Sequence, residues 1–190
     1  MPPVTKYSKQ DIINAAIQLI DEKGLEHFSV RNVAGVLKSS IQPIYSNFSD
    51  VSALLDAVLL QIKENLLAYT KMEHADQVFR NMGVGFALFA RDFPNQFTAF
   101  YHKNEQHQKF IQQFLKDLRE DLELDDRFAK VSSADKDKLL ETMWIFTYGY
   151  ANLIVKGIIT ETSNQNIADM VIGVGTIVIK DTLNKISKNA

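Results

Sequence analysis

The sequence predicts an all-α fold of about nine helices arranged as an N-terminal and a C-terminal domain. Three observations carry that expectation. Apolar residues recur at helical spacing along nearly the whole chain. No stretch sustains the apolar/polar alternation between turn dipeptides that marks a sheet. Three short amphipathic segments follow one another between Ser8 and Leu60, each too brief to bury much apolar surface without the other two.

The first helix begins near Ser8, an N-cap residue type, and lines up Ile12, Ala15, Ala16, Leu19 and Ile20 before Gly24 offers a stop. Phe28 fills the corner, and Ser29 caps a second helix with Val30, Val33, Ala34 and Leu37 facing inward. After the break at Lys38-Ser39, a third helix ends near Phe48. Its start is either Ser40 or Gln42, because Pro43 suits a first turn but disfavours helical geometry at the residue before it. Ser49-Asp50 caps a fourth helix from about Val51 to Thr70. A fifth reads from Asp76 to Phe93, ended by Pro94, then a short sixth to Tyr101 and a seventh over Gln106 to Leu124. Two long helices close the chain, Ala134 to Lys156 and Asn166 to about Lys185. The boundary expected from this pattern divides residues 1–50 from 51–190.

A chain of 190 residues, 46% hydrophobic, with a formal net charge of -2 and no cysteine suits a globular protein without disulfides or thiolate metal sites. Met1 to Gln10 lacks the apolar core of a signal peptide, and no run approaches a membrane span, so a cytoplasmic protein with no membrane partner is expected. Near-neutral charge supplies no global attraction to nucleic acid; any such affinity must be local. Within 1–49, Lys6, Lys9, Lys23, Arg31 and Lys38 stand against Asp11, Asp21, Glu22 and Glu26, five basic residues to four acidic.

The last two helices carry much apolar surface. Trp144, Ile145, Phe146, Tyr148, Tyr150, Leu153, Ile154 and Ile158 encircle one, while Ile167, Met170, Val171, Val174, Ile177 and Val178 crowd the other. Such helices must be covered on several sides. They are either a central core or half of a four-helix bundle completed by a second copy, with Tyr150, Ile154, Ile158, Met170, Val174, Ile177 and Val178 as the candidate dimer interface.

Ile13-x-Ala15-Ala16-x-x-Leu19-Ile20-x-x-x-Gly24, Ser29-Val30-Arg31-Asn32-Val33-Ala34, Pro43-Ile44-Tyr45-x-x-Phe48 and Leu54-Leu55-x-Ala57 together resemble the N-terminal signature of TetR-type (TetR/AcrR-like) transcriptional regulators. The segment from Trp144 to Gly157 is similar to the penultimate helix of that family. The resemblance implies a helix-turn-helix DNA-binding domain, a homodimer on a palindromic double-stranded operator, and a C-terminal cavity for a small effector that relieves repression. The chain departs from the pattern in three places. Lys38 stands where the family often has a turn glycine, so the turn avoids positive φ or Lys38 bears strain. Pro43 lies in the third helix. Asp50-Val51-Ser52 offers no basic residue for a phosphate.

A carboxamide pairs bidentately with adenine, which makes Gln42 the first candidate for base readout, with Ile41 or Pro43 against a thymine methyl. Tyr45, Ser46 and Asn47 are candidates for phosphate, as are Lys6, Arg31 and Lys38. Ser39 and Ser40 serve either purpose or cap the helix. For a mostly apolar effector the candidate contacts are Phe86, Phe89, Phe93, Phe97, Phe100, Phe110, Trp144 and Tyr148; the same stripe is equally a filled core.

No catalytic residue, metal site or cofactor is expected. His102, Glu105 and His107 spread around a helix, and Gly83-Val84-Gly85 and Gly173-Val174-Gly175 lack the preceding strand of a phosphate loop. The alternative class is a helical small-molecule carrier or scaffold with little DNA affinity. It would hold a ligand without salt-dependent retention on DNA.

Overall fold

The computed structural model describes residues 7–102 and 107–189, giving only backbone for His107 and for 184–189. Lys6 and Glu105 lie outside the described residues. Among these residues the fold is all-α. The helices are α1 (Lys9–Lys23), α2 (Val30–Val36), α3 (Gln42–Asn47), α4 (Val51–Lys71), α5 (Val78–Asp92), α6 (Pro94–Phe100), α7 (His107–Leu122), α8 (Ser133–Val155) and α9 (Asn164–Asn189), with 3-10 turns at Leu25–His27 and Asp126–Phe128.

Most ends follow from capping chemistry. The Ser8 hydroxyl accepts from the Asp11 N–H while the Asp11 carboxylate accepts from the Ser8 N–H, a reciprocal box that opens α1. Gly24 closes it at φ 85°. Ser29 accepts from the Asn32 N–H at the start of α2, and Asp50 from the Ala53 N–H at the start of α4. α5 starts two residues later than Asp76, and ahead of it the amides of His74 and Ala75 donate to the Asn81 side chain at 2.9 and 2.7 Å. α9 starts two residues earlier than Asn166, since Ser163 accepts from the Asn166 N–H.

The chain folds as two compact units whose division falls between Glu64 and Asn65, inside α4, rather than at residue 50. The first unit extends to Glu64 and takes in Phe93–Phe110; the second comprises Asn65–Asp92 and the chain from Ile111 onward. Packing explains the re-entry of α6. In the first unit α6 lies on α1 and the turn after it, burying Phe97 and Phe100 completely. Asn95 and Gln96 donate to the Asp21 carbonyl and carboxylate at 2.8 and 3.0 Å.

In the second unit α5 packs on α8 and α9. Val84, Ala87, Leu88, Tyr150, Ile154, Ile167 and Val171 form one core cluster. Backbones approach closely there: a Cβ on Gly85 would sit 2.1 Å from the Tyr69 carbonyl oxygen at the end of α4, and one on Gly83 would sit 2.7 Å from Val171 Cγ1. Tyr150 and Ile154, expected at a dimer interface, are each only 7% exposed because they pack into this core.

Candidate functional site

α2 ends on a two-bond C-cap. The Ser39 N–H reaches the Ala34 carbonyl and the Lys38 N–H that of Gly35, with Lys38 at φ 52°. That geometry places a left-handed residue just beyond the helix, the position where glycine is favoured. Lys38 therefore bears the strain. The end of α8 repeats the same two bonds, Ile158 to Leu153 and Gly157 to Ile154, with Gly157 at φ 67°. The Tyr7 hydroxyl donates to the Leu37 carbonyl at 2.8 Å and ties the chain start to this turn. No sequence signal singled out Tyr7.

α3 starts at Gln42, with Ile41 as N-cap and Pro43 second in the helix. Proline is accepted there because a first-turn N–H has no helical partner to lose. No side chain caps α3, so neither Ser39 nor Ser40 does that work; the Ser39 hydroxyl donates to the Ser40 carbonyl instead. Ile44 and Phe48 are buried and fix the helix by one face. Opposite them, Ile41 is 48% and Tyr45 53% exposed. Ser40, Gln42 and Ser46 are exposed as well, with Ser39, Pro43 and Asn47 half-buried.

Among the described residues, the side chains of Arg31, Lys38, Gln42 and Tyr45 make no hydrogen bond, and all four are exposed. They are free to bind. The Ser46 hydroxyl is already spent on the Gln42 carbonyl, and one Asn47 amide hydrogen on the Pro43 carbonyl. Ser46 must release its bond before it can donate to a phosphate; Asn47 has a second N–H to give. Lys9 lies 5.2 Å over the Phe48 ring and braces the end of α3 by cation–π attraction.

In the second unit the expected aromatic site is only partly assembled. Phe86 and Trp144 line a cavity together with Phe79, Met82, Leu118 and Met143. It offers about 30 Å³ to the centre of a water-sized sphere, room for a water or two and far below the several hundred Å³ of a ligand pocket. The remaining expected contacts do not line it. Phe89 is fully buried edge-on to Tyr69, and Tyr148 packs against Trp144 with ring centres 6.2 Å apart. Phe97 and Phe100 are core of the first unit, where both pack on Tyr101; Phe93 and Phe110 belong to that unit too. Their spacing in sequence runs across the unit boundary, which periodicity does not reveal.

A second cavity, of about 280 Å³ by the same measure, is lined by Thr70, Lys71, Val78, Asn81, Met82, Asp121 and Leu124. Nothing in the sequence pointed to it, since its walls come from three separated segments. Ile158, just past the end of α8, is 66% exposed, and on α9 Met170 and Ile177 are 48% and 69% exposed, with Val174 and Val178 half-buried. An open groove runs along this face, edged by Glu161 and Asp169. Among the described residues no group of histidine and acidic side chains is arranged to hold a metal, and no helix is long and apolar enough to cross a membrane.

No family model and no curated protein matches the chain. Solved structures do. A tetR-family transcriptional regulator from Streptomyces coelicolor superposes with a TM-score of 0.75 at 11% identity, over 93% of this chain and 82% of its own. A TerR/AcrR-family transcriptional regulator from Aquifex aeolicus VF5 gives 0.63 at 16%, over 89% and 98%. A TetR-like transcriptional regulator from Rhodococcus sp. RHA1 gives 0.60 at 15%, over 88% and 92%. The likeness is one of fold and extends over nearly the whole chain.

Proposed function

We propose that this chain, built on the fold of TetR-type transcriptional regulators, is a cytoplasmic DNA-binding regulator that represses from a palindromic operator as a homodimer. One observation carries the reading: on α3, fixed by buried Ile44 and Phe48, Gln42 and Tyr45 stand exposed with unspent hydrogen-bonding groups. A short helix with one face in the core and the other offering a carboxamide and a phenol is suited to reading base edges and phosphates in a major groove. Arg31 and Lys38 lie before it and supply local positive charge to a head of near-neutral balance.

The apolar face of α8 and α9 supports the dimer. Met170, Val174 and Ile177 line one open groove with Tyr150 of α8, which a second copy would cover through a two-fold, self-complementary contact. Two heads must reach successive major grooves about 34 to 36 Å apart, so a small change in their separation abolishes joint binding. Coupling to an effector is assigned to α4, which carries residues of both units. An effector gains leverage only through its differential affinity for the two states.

Selection of bound fragments from random duplex DNA tests the reading. A palindromic enriched site is expected, establishing specificity and two-fold symmetry together. A selection that enriches nothing, with no retention on duplexes in dilute salt, overturns it and favours a helical carrier.

A further inference from the structure

The two cavities of the second unit share one wall. Met82 lines the small aromatic cavity beside Phe86 and Trp144, and it also lines the larger one beside Thr70, Lys71 and Asp121. Methionine is unbranched and turns easily about its side-chain bonds. With Met82 swung aside the two spaces join and approach the lower end of the range for ligand pockets.

Asp121 gives the larger cavity its chemistry. One carboxylate oxygen lies 3.1 Å from Lys71 Nζ, and the other is buried with no hydrogen-bond partner. An acceptor left unmet in this way calls for a donor. The Asp121 side chain is 14% exposed, whereas Lys71 is 56% exposed at the last residue of α4. Lysine can therefore leave for solvent on its flexible stem, while the carboxylate stays. The carboxylate's terminal torsion is soft, so either oxygen can serve an incoming group.

We propose that the two cavities are a single effector site divided by Met82, and that its ligand is an amine on an apolar, aromatic body. The ammonium displaces Lys71 at Asp121, and the body pushes Met82 aside to reach Trp144. The inference rests on the regulator reading for its biological sense, since binding at Thr70 and Lys71 acts on the end of α4. It stands on the cavities alone for its chemistry.

Trp144 is the only tryptophan of the chain, so its emission reports entry into the inner space. The experiment titrates the full chain with 4-phenylbutylamine and with 4-phenylbutyrate, which share a body and differ in charge. A saturable change is expected with the amine, about tenfold tighter than with the acid. Asp121→Asn should erase that preference, and Lys71→Met, which removes the competitor, should tighten the amine severalfold. Equal affinity for amine and acid in the unmodified chain, no saturable change with the amine, or an amine affinity unmoved by both substitutions overturns the proposal. Retention on duplex DNA, measured on the same preparations, separates the two ideas. Retained DNA with a charge-blind titration rejects the amine site alone. Amine selectivity without retention supports the site and rejects the regulator.

Discussion

Lys38 and Gly157 occupy the same place in the same C-cap, one with a side chain and one without. A left-handed conformation costs a non-glycine residue about 1 to 2 kcal/mol, of which a glycine replacement returns part to the unfolded chain's greater freedom. Lys38→Gly should therefore raise stability by about 1 kcal/mol, read as a higher urea midpoint at unchanged slope, while its lost charge weakens binding to duplexes of any sequence. The sequence left two options at Lys38, and the structure takes the strained one. Replacing Gln42 by alanine is expected to cost about 1 to 3 kcal/mol at one operator base step and little on random DNA. Tyr45→Phe should weaken both alike, measured by competition binding on matched and scrambled duplexes. Capping residues were legible because their chemistry is local, as with Ser8 and Ser29. Ser46 was not legible in this way: its residue type suits a phosphate donor, and only its bond to the Gln42 carbonyl four residues back shows the proton to be engaged.

Helices were the most readable level, because the side-chain caps at Ser8, Ser29 and Asp50 each lie within three residues of their partners; α3, which no side chain caps, is the exception. The misplaced start of α9 traces to Ser163, a cap that the apolar pattern passes over. Two glycines on different helices separate helix propensity from packing. In Gly85→Ala the new methyl would meet the Tyr69 carbonyl, which cannot move without shifting α4, so a loss of about 1 to 3 kcal/mol is expected. Gly149→Ala meets nothing within 4 Å in α8 and should gain up to about 1 kcal/mol from helix propensity. Thermal unfolding of both variants checks the contrast. Asp125, between α7 and α8, joins elements through charge. Burial pushes its carboxyl up, but the Arg127 guanidinium on both oxygens and the N–H groups of Phe79 and Arg127 outweigh it and hold the pKa below the ordinary value. A depressed folded pKa stabilises above the unfolded value of about 4 and loses that contribution as pH falls through the folded one. Asp125→Asn should cost about 2 kcal/mol at pH 7 and nearly nothing at the acid end, read from urea midpoints across pH 2 to 7.

At the scale of the whole molecule, all-α architecture was legible from periodicity, and the domain plan only in part. The pattern offers no way to know that α6 returns to the first unit, because its apolar residues look alike whichever core they fill. The apolar excess of α8 and α9 was legible as a quantity, but its direction was not: Tyr150 and Ile154 turn inward and Ile177 outward. Ile177→Glu should thus leave the protomer folded, shift sedimentation from dimer to monomer, and remove tight binding to a two-half-site operator while sparing weak binding to a half site. A dimer that survives this charge would move the interface elsewhere. The return of α6 also sets an order of events during synthesis. A chain emerging from the ribosome has made α1 to α3 long before Asn95 and Gln96 exist to bond Asp21, or Phe97 and Phe100 to cover α1. The head must wait, incomplete and with an apolar flank bare, until translation has passed Phe100; a fragment stopped at residue 50 would keep that flank bare indefinitely.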